Sequence, residues 1–188
     1  MDYKTIANDG IVEEEIKKSR FICHLKRIIS EEEGREYIAQ IKKEHHKANH
    51  SCSAMIVGDD GQIKRSSDDG EPSGTAGVPM LTVLEKQGLT NVVAVVTRYF
   101  GGIKLGAGGL VRAYSKSVLE AIEASEIIEV EYYDVYNITF DYSDLKDIER
   151  EIRNSKLTII QKDFGEKISY DLVSKNNRNI KEILDRKS

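Results

Sequence analysis

Apolar positions recur along the chain with two periods, and the switches between them divide it into elements. Arg20–Ile29 (RFICHLKRII) places Phe21, Cys23 and Leu25 on one side and predicts a strand. Ser30 followed by Glu33 has capping-box spacing and predicts a helix to about His46, with Tyr37, Ile38 and Ile41 turned inward. Ser51–Val57 alternates again, and Gly58-Asp59-Asp60-Gly61 after it has the composition of a hairpin turn. Asp68–Pro79 holds both prolines and several glycines and reads as a loop. A helix from Met80 to about Gln87 follows, with Gly88 where a helix C-terminus favours glycine. Val92–Thr97 (VVAVVT) is a continuous β-branched run, the pattern of a strand covered on both faces. The glycine-rich segment Arg98–Gly109 leads into a helix over Leu110–Ser125. Leu110, Tyr114, Val118, Ala121 and Ile122 form its apolar stripe.

The pattern changes after Ser125. Ile127–Phe140 is β-rich, and Asp144–Asn154 is a charged helix with Leu145, Ile148 and Ile152 on one side. Lys156–Lys162 and Ile168–Val173 read as strands joined through Phe164-Gly165-Glu166, and Asn179–Arg186 starts a last helix. The order β-α-β-β-α is a split unit of the ferredoxin-like kind with its closing strand missing. The expectation is therefore an α+β protein of two domains, 1–125 and 126–188.

Charge adds a second pattern. The net charge is −4, so the surface as a whole is not built to wrap nucleic acid. The sum hides a local excess, because Lys86–Leu119 carries Lys86, Arg98, Lys104, Arg112 and Lys116 and no acidic residue. Two cysteines make no disulfide framework. The first residues, MDYKTIANDG, do not resemble a signal peptide, and no apolar run is long enough for a membrane helix. A cytoplasmic protein without membrane association is expected.

Three segments could carry chemistry. The first runs from Thr97 to Gly109, between the buried strand and its helix. A helix N-terminus offers unpaired N–H groups and partial positive charge, and a glycine-rich approach lets a ligand come close to the backbone. The candidate anion or nucleic-acid contacts are Arg98, Tyr99, Gly101, Gly102, Lys104, Gly106, Gly108, Gly109, Arg112 and Lys116. The spacing fits neither a Walker A loop nor a dinucleotide fingerprint. The plain alternative is that the glycines only serve turns and packing.

The second segment holds Asp68, Asp69, Glu71, Ser73 and Thr75. Paired carboxylates can hold Mg²⁺ or act as a base. The plainer reading gives Asp68 and Asp69 to Asx-turns, or to ion pairs with Arg98 or Arg112. The third segment pairs His50 with Cys52, two apart on a strand and so on one face, and a nucleophilic Cys-His pair would need such proximity. His46 and His50 are four apart, but the helix is expected to end between them. No metal site or cofactor is expected.

His50-Ser51-Cys52-Ser53-Ala54, the stretch Ser67–Met80 (SDDGEPSGTAGVPM) and the stretch Val96–Tyr114 (VTRYFGGIKLGAGGLVRAY) occur in an order and spacing that resemble the YigZ/Impact family. The resemblance runs over nearly the whole chain. It implies an N-terminal Impact domain, whose fold is similar to the second domain of a small-subunit ribosomal protein. It also implies a C-terminal domain similar to a late domain of elongation factor G. Regulation of translation is the role it implies, with RNA or DNA, the ribosome or a translation factor as partners. It carries over no catalytic residue. A nucleic-acid- or ribosome-associated binding protein is therefore the expectation. The alternatives are an enzyme acting on a phosphorylated small molecule and a protein-interaction regulator without nucleic-acid contact.

Overall fold

The computed structural model describes residues 2–155 and 157–174. They divide into two compact units, 1–131 and 132–188. The helix expected over Asn179–Arg186 lies outside the described residues.

The first unit contains β1 (Tyr3–Ile6), β2 (Gly10–Ile16), β3 (Ser19–Arg27), α1 (Glu31–Glu44), β4 (His50–Val57), β5 (Ile63–Ser67), α2 (Gly77–Lys86), β6 (Val92–Tyr99), α3 (Ala107–Ser125) and β7 (Ile127–Val130). Five strands form an antiparallel sheet in the order β2-β3-β6-β4-β5. The β-branched run lies at its centre. Val93 and Val95 face α1 among Ile28, Ile41, Met55 and Val57. Val92, Ala94 and Val96 face the opposite layer, with Met80 and Leu84 of α2 and Leu110, Tyr114 and Val118 of α3. Period-2 alternation on β6 thus serves two helical layers at once. Burial of each valine, leucine, isoleucine or methionine among them is worth about 1.5–3 kcal/mol.

Local signals set the helix limits. Ser30 caps α1 by accepting the Glu33 amide at 3.1 Å, and the Glu33 carboxylate takes the Ile29 amide at 2.9 Å. α2 begins at Gly77, before the expected Met80, because a remote carboxylate caps it: Asp68 Oδ1 accepts the amides of Ala76 (3.0 Å) and Gly77 (2.8 Å). α3 begins at Ala107, before the expected Leu110, so part of the glycine-rich segment is its first turn.

The β-rich run expected over Ile127–Phe140 is two strands. Ile127–Val130 pairs antiparallel with β1, within the first unit. The second unit contains β8 (Val135–Phe140), a short 3-10 turn (Tyr142–Asp144), α4 (Leu145–Asn154), β9 (Thr158–Phe164) and β10 (Ile168–Val173). Its antiparallel sheet has the order β8-β10-β9. Ile148 and Ile152 of α4 pack on Ile138, Phe140, Ile168, Tyr170 and Leu172.

Candidate functional site

Even-numbered positions of β6 face α2 and α3, and Arg98 is the last of them. A guanidinium on that face needs a partner, and the loop after β5 supplies it. Glu71 Oε1 accepts Arg98 Nη1 at 2.7 Å and the Tyr114 hydroxyl at 2.7 Å. Its other oxygen lies 3.7 Å from His50 Nε2. Glu71, Arg98 and Tyr114 are all buried. Arg98 Nη2 also donates to Ser19 Oγ at 3.3 Å, while its Nε has no hydrogen-bond partner among the described residues. The guanidinium lies under two aromatic rings, Phe21 and Phe100, each 5.5 Å away. Burial first, and then the neighbouring Cys52 and Glu71, drive the Tyr114 phenol well above its ordinary range, so it stays a donor.

The other loop carboxylates are equally committed. Burial acts to raise the Asp68 carboxyl, but the amides of Gly74, Gly77 and Ala76 outweigh it and hold the group below its ordinary value. Asp69 accepts Lys42 at 2.6 Å and the Ser51 amide at 2.7 Å. Burial opposes these bonds, yet the Asp69 carboxyl is also lowered. Thr75 Oγ1 donates to the Pro72 carbonyl at 2.6 Å, and Ser73 is exposed. The carboxylates therefore hold the loop to the sheet and to α2. The expected pairing of Asp68 or Asp69 with Arg98 is made instead by Glu71.

His50 Nδ1 donates to the Asp69 carbonyl at 2.9 Å, and Cys52 Sγ donates to the Asp68 carbonyl at 2.9 Å. Burial pushes the Cys52 thiol up to about 12, the wrong direction for a nucleophile. Cys23 and Cys52 are register partners of Val96 on opposite sides of β6. Two strand spacings, about 9–10 Å, exceed the reach of a disulfide. Among the described residues no group of three or more His, Cys, Asp or Glu could hold a metal ion.

The glycine segment opens above this buried hub. Gly106 precedes α3 at φ 74° and ψ 165°, a conformation essentially reserved for glycine. Among the described residues no side chain caps the helix, and its first turn contains no acidic residue. Ala107 and Gly108 are exposed and Gly109 is half-buried. Lys104 and Arg112 are exposed and make no ion pair among the described residues. A cleft of about 410 Å³ lies between this turn and the hub, bordered by His50, Glu71, Arg98, Phe100, Lys104 and Ala107. The fold thus gathers Arg98, Lys104, Gly106, Gly108, Gly109 and Arg112, with Gly101 and Gly102 in the approach.

Two expected contacts are placed otherwise. Tyr99 points to the opposite face of the sheet, where its hydroxyl meets His45 Nδ1 at 2.9 Å and its ring lies under Arg20. Lys116 is held by Glu14 at 2.5 Å and by Glu120 at 3.4 Å. Arg98 is not a mobile cation, because Glu71 neutralises it. The sequence reading missed Lys17 and Lys18, which form the β2–β3 turn with φ of 47° and 63°. Gly101 packs directly on the Lys18 backbone, and its amide donates to Ser19 Oγ at 3.3 Å. The reversal from Glu13-Glu14-Glu15 to Lys17-Lys18 was the available signal.

The Impact N-terminal domain family matches residues 17–122, which include every element of this site. The chain belongs to the IMPACT family. YvyE of Bacillus subtilis, an IMPACT family member, is 48% identical over 169 residues, which cover 90% of this chain and 78% of that protein. YigZ of Escherichia coli, another member, is 41% identical over 155 residues, 81% of this chain and 76% of that protein. The crystal structure of a hypothetical protein superposes with a TM-score of 0.68 at 35% identity, over 98% of this chain and 92% of that one. This IMPACT-family chain has no helix among the described residues that is long and apolar enough to cross a membrane.

Proposed function

We propose that the first unit binds the phosphate backbone of RNA, and that the protein acts in the regulation of translation. One observation carries the phosphate reading. Among the described residues the first turn of α3 is exposed and has no side-chain cap, it holds no acid, and Lys104 and Arg112 beside it make no ion pair. Backbone N–H groups with no internal partner attract an anion, and two nearby cations raise the local potential. Membership of the IMPACT family supports the translational role, which is the role the motif resemblance implies. The strand-helix-strand-strand order of the second unit supports reading it as ferredoxin-like, similar to a domain of elongation factor G. A first domain similar to a ribosomal-protein domain belongs to the same reading.

The enzyme reading is disfavoured by one set of contacts. Asp68 and Asp69 spend both oxygens on backbone amides and Lys42, and Glu71 commits Oε1 to Arg98 and Tyr114 while its Oε2 faces His50 at 3.7 Å. Their contacts serve the fold of the loop, and among the described residues no group of three or more His, Cys, Asp or Glu could hold a metal ion.

The test is the salt dependence of RNA binding. For a single strand, log K falls with log salt by about 0.7 per neutralised phosphate. Replacing Lys104 and Arg112 together by Ala is expected to lower the slope by about one to two units. An affinity indifferent to salt, or an unchanged slope in the double variant, contradicts the reading.

A further inference from the structure

Two hollows flank the first turn of α3. The larger is the 410 Å³ cleft already described. The smaller, about 160 Å³, is bordered by Ile16, Lys17, Gly109, Arg112 and Lys116, and both touch Leu105. They differ in chemistry. The larger carries an aromatic wall, Phe100, which is 45% exposed. The smaller is lined by Lys17, Arg112 and Lys116, of which Lys116 is paired with Glu14 and Glu120.

Phe100 is a fixed shelf. Its amide donates to Asn49 Oδ1 at 2.8 Å, and its ring rests on the guanidinium of Arg98, which Glu71 pins from below. A large apolar ring held rigid yet left half open is suited to stack a planar ligand. Tyr114 is unavailable for this, being fully buried. The lysine turn beside the smaller hollow is held in a disfavoured backbone conformation. Lys17 and Lys18 both hold positive φ, of 47° and 63°, a conformation that side chains other than glycine disfavour. The β2–β3 turn could relax with asparagine or glycine there, and it presents two exposed ammonium groups instead.

We infer that this corner takes a single-stranded segment, with one unpaired base stacked on Phe100 in the larger hollow. The strand then crosses the α3 amides, and a neighbouring phosphate meets Lys17 and Arg112 at the smaller one. The inference rests on the phosphate-binding reading and narrows it to the single-stranded class. A duplex keeps its bases stacked on each other and cannot offer one to Phe100.

The test measures binding of a short labelled RNA, of the same RNA annealed to its complement, and of the matching single-stranded DNA, by fluorescence anisotropy. The single strands are expected to bind at least about tenfold tighter than the duplex. Phe100→Leu should weaken single-strand binding about five- to hundredfold, the range expected for one base–aromatic stack, without changing the salt slope. Phe100→Tyr should retain the affinity. Lys17→Ala combined with Lys18→Ala should lower the slope by about one to two units, with a melting temperature near that of the wild type. Equal affinity for single strand and duplex, or indifference to Phe100→Leu, overturns this inference and leaves salt-dependent phosphate binding standing. Absence of binding to any of these probes overturns both. A preference for RNA over DNA assigns the 2′-hydroxyl a part, and equal binding assigns the recognition to base and phosphate alone.

Discussion

Asp68 accepts three amide protons, from Gly74, Ala76 and Gly77, and so joins the end of β5 to the start of α2. Such bonds need the charged carboxylate. Its depressed titration therefore translates into stability that is complete above the ordinary value of 3.8 and fades as the pH falls below it. Asp68→Ala is expected to cost about 2–3 kcal/mol near neutral pH, by loss of a cap and of charge-assisted bonds. The gap between variant and wild type should close as the pH drops below 3.8 in chemical denaturation, and a gap independent of pH would deny the assigned role. Glu71 illustrates why residue roles were only partly legible. The acidic loop was visible as a motif, but its partner Arg98 lies 27 residues away and Tyr114 lies 43 away. Nothing in local spacing distinguishes the carboxylate that meets the guanidinium from the two that do not.

At the scale of elements, two glycines in one segment have different reasons. A Cβ on Gly101 would run into the backbone of Lys18. A Cβ on Gly108 would meet only Arg112 Nη1, at an ordinary 3.5 Å. Gly101→Ala should therefore destabilise the fold by about 1–3 kcal/mol through displacement of the β2–β3 turn. Gly108→Ala should leave stability equal or raise it by up to about 1 kcal/mol, since alanine suits a helix better. The same Gly108→Ala change should weaken RNA binding, because the added methyl stands where the backbone meets the ligand. Thermal unfolding and anisotropy on both variants separate the effects, and a Gly108→Ala protein that binds unchanged would leave that glycine without a functional reason. Elements with strong periodicity were readable: the stripe of α3, the capped start of α1 and the β-branched centre of β6 each combine pattern with a local signal. β2 and β5 were not. Gly10–Ile16 and Ile63–Ser67 are the edge strands, the first alternating exposed with half-buried positions and the second mostly exposed, and the Lys17-Lys18 turn lacks the glycine or asparagine that marks a hairpin. Their places come from pairing with β3 and β4, which no short window of sequence contains.

For the whole molecule, the net charge of −4 conceals the arrangement that matters. The first unit buries one cation at its hub, Arg98, and leaves Lys17, Lys18, Lys104 and Arg112 at the surface around one helix terminus. The acid-free stretch foretold half of this group. Its other half arrives from the opposite edge of the sheet, because β2 and β3 pack beside β6 and α3. The central claim is that phosphate meets the backbone at the start of α3. The most direct measurement is an amide-resolved NMR titration of the isotope-labelled protein with a short single-stranded RNA at low salt. The largest shifts are expected at the amides of Ala107, Gly108 and Gly109, and they should need a higher RNA concentration to develop when Lys104 and Arg112 are replaced by Ala. Shifts confined to residues of the second unit, with these three amides unmoved, would contradict the account.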